Sequence, residues 1–426
     1  MWKKITFLAL LTVISLSCRT VVQPTSQKPS LSKVLQHAID TSTILRQAHL
    51  GLGIVEGKDT LYNFQSNHYF IPASTTKLFT WYAGVVNLPD TLPAAYFKWK
   101  EDSLFLWGTG DPTTLHPEFG NDGLLRWLNQ QNPKTLVYSE AHFKQRGLGP
   151  GWAWDDFDAP YSPEQSPLPL FGNVVWFKHQ DNTLTVTPSF FQSMVTGQGT
   201  GSWIRRSWHQ NHFFLPSQFP SKNTFQQEVP FMTSSTLTRQ LLADTLRREV
   251  VLQSIPLVHD YQTISFQPVD TVYRRMLFES DNFLAEQLLL IAGSTTGTIG
   301  DTPTTIEHLL RGPLRGLPDR PRWVDGSGLS RYNLQTPRNL LFLLQRLQDV
   351  VSEETLFSFL PQIGKSGENK ARIYGKSGSM SGVYNLAGFI RTSDGRLLRF
   401  AVFTNQFIHP VSLVRAEIIK ILQLIQ

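Results

Sequence analysis

The two ends of the chain carry mirror-image patterns, and these restrict the fold more than any other feature. Residues 31–40 place apolar side chains at helical spacing; two short alternating runs follow, 49–55 and 60–64, around Gly57-Lys58-Asp59. Near the other end, residues 384–391 and 397–405 flank Ser393-Asp394-Gly395, and residues 411–424 return to a spacing near 3.6. Apolar alternation on either side of an Asp-Gly pair is a strong hairpin signal. Helix then hairpin at one end, and hairpin then helix at the other, pack most simply as one antiparallel sheet with both helices on one face. The intervening chain must leave that sheet and return to it, so the expected class is α/β (α+β).

Size and composition say how much lies between. The 426 residues exceed one ordinary domain, and 41% are hydrophobic against 17% charged, enough apolar surface for sizeable cores. Residues 91–265 differ in texture, being rich in aromatics, Gly and Pro with short strand-like runs such as 183–187. They read as one or two β-rich insert domains. Residues 19–90 and 266–426 then form the domain that the ends enclose. Lys plus Arg is 39 and Asp plus Glu is 33, a formal charge of +6 scattered without a long basic run. With no nucleic-acid motif either, nucleic acid is excluded as a partner.

Residues 1–18 read as a targeting segment. Lys3 and Lys4 precede an apolar stretch, 5–16, too short to span a membrane. Ser15-Leu16-Ser17-Cys18 resembles a bacterial lipoprotein signal with Cys18 as the acylated residue; an ordinary secretory signal is the alternative. Cys18 is the one cysteine, so the mature chain has no intramolecular disulfide even in an oxidising compartment. The expectation is an exported protein on the periplasmic side, held to a membrane by a lipid anchor.

Three short patterns carry chemistry. Ser74-Thr75-Thr76-Lys77 precedes a helix-like run, 78–86. Residues three apart share a helix face, so Lys77 lies beside the Ser74 hydroxyl. That hydroxyl needs a base, which a lysine of lowered pKa supplies. Ser280-Asp281-Asn282 precedes a second helix-like run, 283–291; Ser280 offers a proton relay and Asn282 a hold on the lysine and a substrate carbonyl. Lys376-Ser377-Gly378 stands before the C-terminal hairpin. There Lys376 attracts a terminal carboxylate, Ser377 bonds to it, and Gly378 lets a substrate backbone approach. Each pattern alone is weak: Ser30-Leu31-Ser32-Lys33, Ser221-Lys222-Asn223 and Lys365-Ser366-Gly367 repeat them elsewhere. Order and context single out the chosen three, which form the set found in class A β-lactamases and penicillin-binding proteins.

Further segments make the resemblance specific. Gly108-Thr109-Gly110-Asp111-Pro112-Thr113, Gly151-Trp152-Ala153-Trp154-Asp155-Asp156, Asn182-Thr183-Leu184-Thr185-Val186-Thr187-Pro188, Phe278-Glu279-Ser280-Asp281-Asn282 and Asp325-Gly326-Ser327-Gly328-Leu329-Ser330-Arg331 resemble signatures of the penicillin-binding protein 4 type D-alanyl-D-alanine carboxypeptidases and endopeptidases. The similarity runs from about residue 30 to the C-terminus. Leu360-Pro361 and Gly364 stand where the family has the segment before its third motif, which marks Lys376 as the motif lysine. The resemblance implies a β-lactamase/transpeptidase-like domain interrupted by a β-rich insert. It also implies an acyl-enzyme peptidase of peptidoglycan stem peptides, with β-lactams as covalent inhibitors and no metal or organic cofactor.

Roles follow from the resemblance. Ser74, Lys77, Ser280, Asn282 and Lys376 are the expected catalytic set, and Ser377, Gly378 and the Ser379 N–H bind substrate, Ser379 sharing an oxyanion hole with the Ser74 N–H. Asp155 or Asp156, with Arg331, contact the amino and carboxylate ends of a diaminopimelate side chain; the alternative is that they brace turns. Residues 74 and 280 are separated by far more chain than a compact β-lactamase needs, and the Glu-x-x-Leu-Asn pattern of class A deacylation is missing. A slowly deacylating penicillin adduct is therefore expected. The rivals are a serine β-lactamase or esterase using the same trio, and a catalytically silent wall-binding lipoprotein.

Overall fold

A computed structural model of the chain describes residues 30–425, apart from 145–146, 220–223, 295–299 and 365–370. Cys18 with the whole targeting segment, and the duplicate Lys365-Ser366-Gly367, lie outside the described residues.

The two chain ends build one antiparallel sheet. Its order is Gln362–Ile363, Arg372–Met380, Val383–Arg391, Leu397–Asn405, His49–Glu56, Asp59–Phe64. The strand from the N-terminal end pairs directly with the last strand, His49 opposite Asn405. Alternation sorts the faces. Leu50, Leu52, Ile54, Leu386, Leu398 and Phe400 turn toward Leu35 and Ile39 of the first helix, Leu31–Thr41, and Val414 and Ile418 of the last, Val411–Leu422. Both terminal helices thus share one face. On the other face the same strand carries Gly51 and Gly53. A Cβ on Gly51 would sit 2.7 Å from the Phe70 ring, and one on Gly53 would sit 2.6 Å from Leu341. The absent side chains let the helix Pro337–Val350 lie close against the sheet.

That second face meets an apolar bundle. The helices Lys77–Asn87, Val269–Phe278, Asn282–Ser294 and Pro337–Val350 contribute Leu78, Trp81, Met276, Leu288, Leu289 and Leu344 to one core, closed by Phe389 and Phe403 of the sheet. Helix Asn282–Ser294 is apolar all round, and all but its ends are buried, so it runs through the middle of the molecule.

The middle segment has its own core, in which helices accompany the strands. A five-stranded sheet runs Val251–Leu252, Thr135–Ser139, Ser103–Gly108, Thr91–Lys100, Gln262–Pro268. Ser103–Gly108 and Thr135–Ser139 are parallel, joined through the helix Gly123–Gln131, the crossover that parallel neighbours require. The strand Gln262–Pro268 carries this sheet past residue 265. Two three-stranded sheets complete the segment; one runs Phe225–Pro230, Val174–Gln180, Thr183–Thr187. Fully buried Gln287 ties the segment to the central helix: its Nε2 donates to the Gly110 and Ser166 carbonyls.

Candidate active site

Ser74 sits on a tight turn. Residues Ala73–Thr76 form one 3-10 turn that runs into the helix Lys77–Asn87, and Ala73 has a positive φ of 47°. Such backbone persists only where surroundings hold it, and here two asparagines do so. Asn385 Nδ2 donates to the carbonyls of Ile71 and Pro72, both at 2.8 Å, while its Oδ1 accepts from Thr404 N–H. Asn405 Oδ1 accepts from Ile71 N–H at 2.7 Å. Both asparagines are buried in the terminal sheet. Their side chains fix the turn that presents the serine.

Lys77 is fully buried beneath Ser74. Its Nζ donates to Ser74 Oγ at 2.9 Å, to Asn282 Oδ1 at 2.6 Å and to the Ser327 carbonyl at 2.9 Å. Burial pushes this amine down to about 8, and the carboxylates of Asp281, Glu286 and Asp325 only partly offset that. Lys376 is nearly as buried; its Nζ donates to Ser280 Oγ at 2.9 Å and to the Ser377 carbonyl at 2.8 Å. Its amine lies well below the ordinary lysine range, first through burial and then through the charge of Lys77. All five expected catalytic residues therefore meet in one place.

The loop 325–331 forms a further wall and is held by two buried acids. Glu286 accepts from the N–H groups of Gly326 and Ser327, at 3.1 and 2.8 Å, and Asp325 accepts from those of Gly328 and Ser330. Gly328 has φ +82° and no room for a side chain: a Cβ would lie 1.9 Å from the Ala73 carbonyl. Burial and the neighbouring Asp325 charge push the Glu286 carboxyl up to about 8.

A cavity of about 510 Å³ opens above these groups, lined in part by Ser74, Ser280, Asn282, Arg331, Asp156, Tyr161 and Ser379. The substrate-recognition expectations divide here. Asp156 and Arg331 face this cavity, whereas Asp155 is exposed and outside its lining. Asp156 accepts from the Tyr161 hydroxyl at 2.7 Å, and Arg331 donates to the Ser381 carbonyl at 3.3 Å. Ser377 and Gly378 also lie outside the lining. Gly378 has a different reason to be glycine: a Cβ would meet the Pro72 carbonyl at 2.6 Å and the amide nitrogens of Ser74 and Thr75 at 2.8 Å. Its lack of a side chain brings the strand against the nucleophile turn.

The strand Arg372–Met380 presents a free edge to the cavity. Gly375 N–H donates outward to the Pro361 carbonyl, away from the partner strand Val383–Arg391. With a two-residue period the N–H of Ser379 leaves the same edge. The short strand Gln362–Ile363 covers only Ile373 and Tyr374, leaving that edge open among the described residues.

Sequence reasoning missed Asn385, Asn405, Glu286 and Tyr161. The first three had a signal: a polar or acidic residue inside a run that is otherwise buried needs a partner. Tyr161 had none, since its backbone carbonyl accepts from Asn282 Nδ2.

Comparison with known proteins identifies the family. The model of the D-Ala-D-Ala carboxypeptidase 3 (S13) family matches residues 31–422. The D-alanyl-D-alanine carboxypeptidase DacB of Haemophilus influenzae is 23% identical over 407 residues, covering 81% of this chain and 82% of its own. The crystal structure of penicillin-binding protein 4 from Haemophilus influenzae superposes with a TM-score of 0.69 at 19% identity, over 92% of this chain and 98% of that one. The same protein complexed with a novel β-lactam gives 0.67 at 18%, over 93% and 100%. The chain belongs to the D-Ala-D-Ala carboxypeptidase 3 (S13) family, the penicillin-binding protein 4 type that its motifs resemble.

Proposed function

We propose that this chain is a penicillin-binding serine D-alanyl-D-alanine peptidase acting on peptidoglycan stem peptides, with Ser74 as nucleophile. The observation that carries the reading is the Lys77 amine, buried, lowered to about 8 and 2.9 Å from Ser74 Oγ. A lysine so placed is a general base near its operating pH.

The substrate's C-terminal carboxylate docks beside Lys376, and its charge favours the protonated amine there. Neutral Lys77 takes the Ser74 proton as Oγ bonds to the carbonyl carbon of the penultimate D-alanine. The resulting oxyanion accepts from the N–H groups of Ser74 and Ser379, a contribution of about 3 kcal/mol per donor. The C–N bond then breaks. Ser280 passes its proton to the departing amine and is refilled from Lys376. In the second half, water gives its proton through Ser280 to Lys376 and its oxygen to the acyl carbon; Lys77 returns its proton to Ser74. Both lysines end as they began. With a β-lactam the leaving amine stays tethered where water must enter, so the adduct persists. Carboxypeptidase and endopeptidase cleavage share these steps, since both cut beside a D-amino acid.

Asp156 and Arg331 offer one acid and one guanidinium across the cavity, which suits a zwitterionic third-residue side chain of the stem peptide. We also infer that Cys18 anchors the exported chain to a membrane by acylation; Lys3, Lys4 and the apolar residues 5–16 support this. Wild-type protein is expected to release D-alanine from a stem pentapeptide and Ser74→Ala to release none. Undiminished release by Ser74→Ala overturns the scheme.

A further inference from the structure

Among the described residues, concave surface remains outside the catalytic cavity. A second cavity, of about 660 Å³, lies on the outer face of the three-stranded sheet in the middle segment. Register and alternation decide what forms its floor. Thr187 lies opposite Trp176, and Trp176 opposite Glu228; in the next row Thr185 lies opposite Lys178, and Lys178 opposite Gln226. These six side chains project from one face in two parallel rows. The opposite face carries Val175, Phe177, Val186, Phe225 and Val229, all packed in the segment's core. Over the floor stand Pro117, Pro160 and Trp203, the last 63% exposed.

This composition is neither a core face nor an ordinary solvated face. Two indoles give flat, amphipathic surface at low entropic cost. Around them lie hydroxyls, an amide, an ammonium and a carboxylate. Glu228 accepts no hydrogen bond among the described residues, and burial, with the charges of Asp281 and Glu118, pushes its carboxyl up to about 7. A pyranose ring has the matching chemistry: its C–H face stacks on indole while its equatorial hydroxyl and acetamido groups hydrogen-bond at the rim.

Position supplies the second argument. Pro160 walls this cavity and its neighbour Tyr161 lines the catalytic one. The Glu228 carboxyl also feels the charge of Asp281, which lies between the cleft residues Ser280 and Asn282. The two hollows are thus adjacent, separated by the Pro160-Tyr161 segment.

We propose that the outer face of the sheet carrying Trp176, together with Trp203, is a saccharide subsite that holds the N-acetylated glycan strand to which the cleaved peptide is attached. This rests on the peptidase reading above and adds the polymer to its substrate. The subsite would favour glycan-linked peptides over free ones by holding the strand while the peptide enters the cleft.

The probe is the tetramer of N-acetylglucosamine, titrated into the full chain with indole fluorescence and calorimetry as readouts. Wild-type protein binds it. Trp203→Ala, which removes an exposed wall, and Thr185→Arg, which fills the floor, each weaken binding about tenfold. Both variants hydrolyse a free stem pentapeptide at the wild-type rate. They release D-alanine from purified, uncrosslinked glycan-linked peptides about tenfold more slowly at limiting polymer. Failure of the tetramer to bind wild-type protein, or wild-type release from polymer by both variants, overturns the proposal. Failure of the peptidase reading looks different: free pentapeptide is not cleaved and Ser74 takes no penicillin, while tetramer binding still reports on the subsite.

Discussion

Replacing Gly378 by alanine tests whether the nucleophile turn is set by strand packing. The new Cβ would lie 2.6 Å from the Pro72 carbonyl and 2.8 Å from the Ser74 and Thr75 nitrogens, where ordinary contact begins at 3.4 Å. All three are backbone atoms, so no side chain can swing away. Strand and turn must separate by about 0.8 Å, a misplacement on the scale that costs on the order of 100-fold in rate. Ser74 N–H and Ser379 N–H belong to these two elements, so their separation also widens the oxyanion hole. The overpacking itself destabilises by about 1–3 kcal/mol, which leaves a large protein folded. The assay is the second-order rate of acylation by a penicillin, followed by intact mass, with circular dichroism and a melting curve as fold controls. Free stem pentapeptide hydrolysis is measured alongside. Both rates are expected to fall together by about 100-fold. A variant that acylates within threefold of wild type refutes the packing argument. So does a variant that loses only the peptide reaction, because a glycine needed for substrate approach would penalise the longer ligand.

Other outcomes follow from the same geometry. Acylation requires neutral Lys77, whose amine titrates near 8, so its rate is expected to rise about tenfold per pH unit below 8 and level off above; a flat profile between pH 6 and 8 contradicts Lys77 as the base. The same depression makes the fold gain stability as pH climbs from about 8 toward 10.5, where the unfolded chain still binds the proton that the native state has lost; urea titrations across that window check the sign. Asn385→Leu removes one donor each from the Ile71 and Pro72 carbonyls, which keep Asn405 and Thr75, and removes the acceptor of Thr404 N–H; it should cost about 1–3 kcal/mol in denaturant unfolding and lower the acylation rate. Arg331→Ala should raise KM for diaminopimelate-containing peptides about tenfold while leaving penicillin acylation unchanged, since only the longer ligand carries the group it would meet.

Much of this was legible in the sequence because it rests on local patterns. The terminal hairpins announced themselves by alternation and an Asp-Gly turn. Ser74 and Lys77 are neighbours on one helical start, so three-residue spacing sufficed to pair them. The strand holding Lys376 was less visible: Arg372–Met380 contains Gly375 and Gly378 and few apolar side chains, and its register is set by Val383–Arg391 beside it. The substrate wall shows the limit most clearly. Asp155 and Asp156 are adjacent in sequence, and only the turn at Trp154–Asp156 decides that the second faces the cavity. At Gly378 the structure adds a backbone contact more than 300 residues away in sequence, which no local pattern encodes. The parallel strands of the middle segment depend on pairing between distant runs and were read simply as β-rich.

The most direct test of the account is intact mass after exposure to a penicillin, followed by peptide mapping. One stoichiometric, long-lived adduct is expected on Ser74, absent from Ser74→Ala and retained by Trp203→Ala. Folded protein that neither carries an adduct nor consumes the penicillin, or an adduct mapped to another serine, contradicts it.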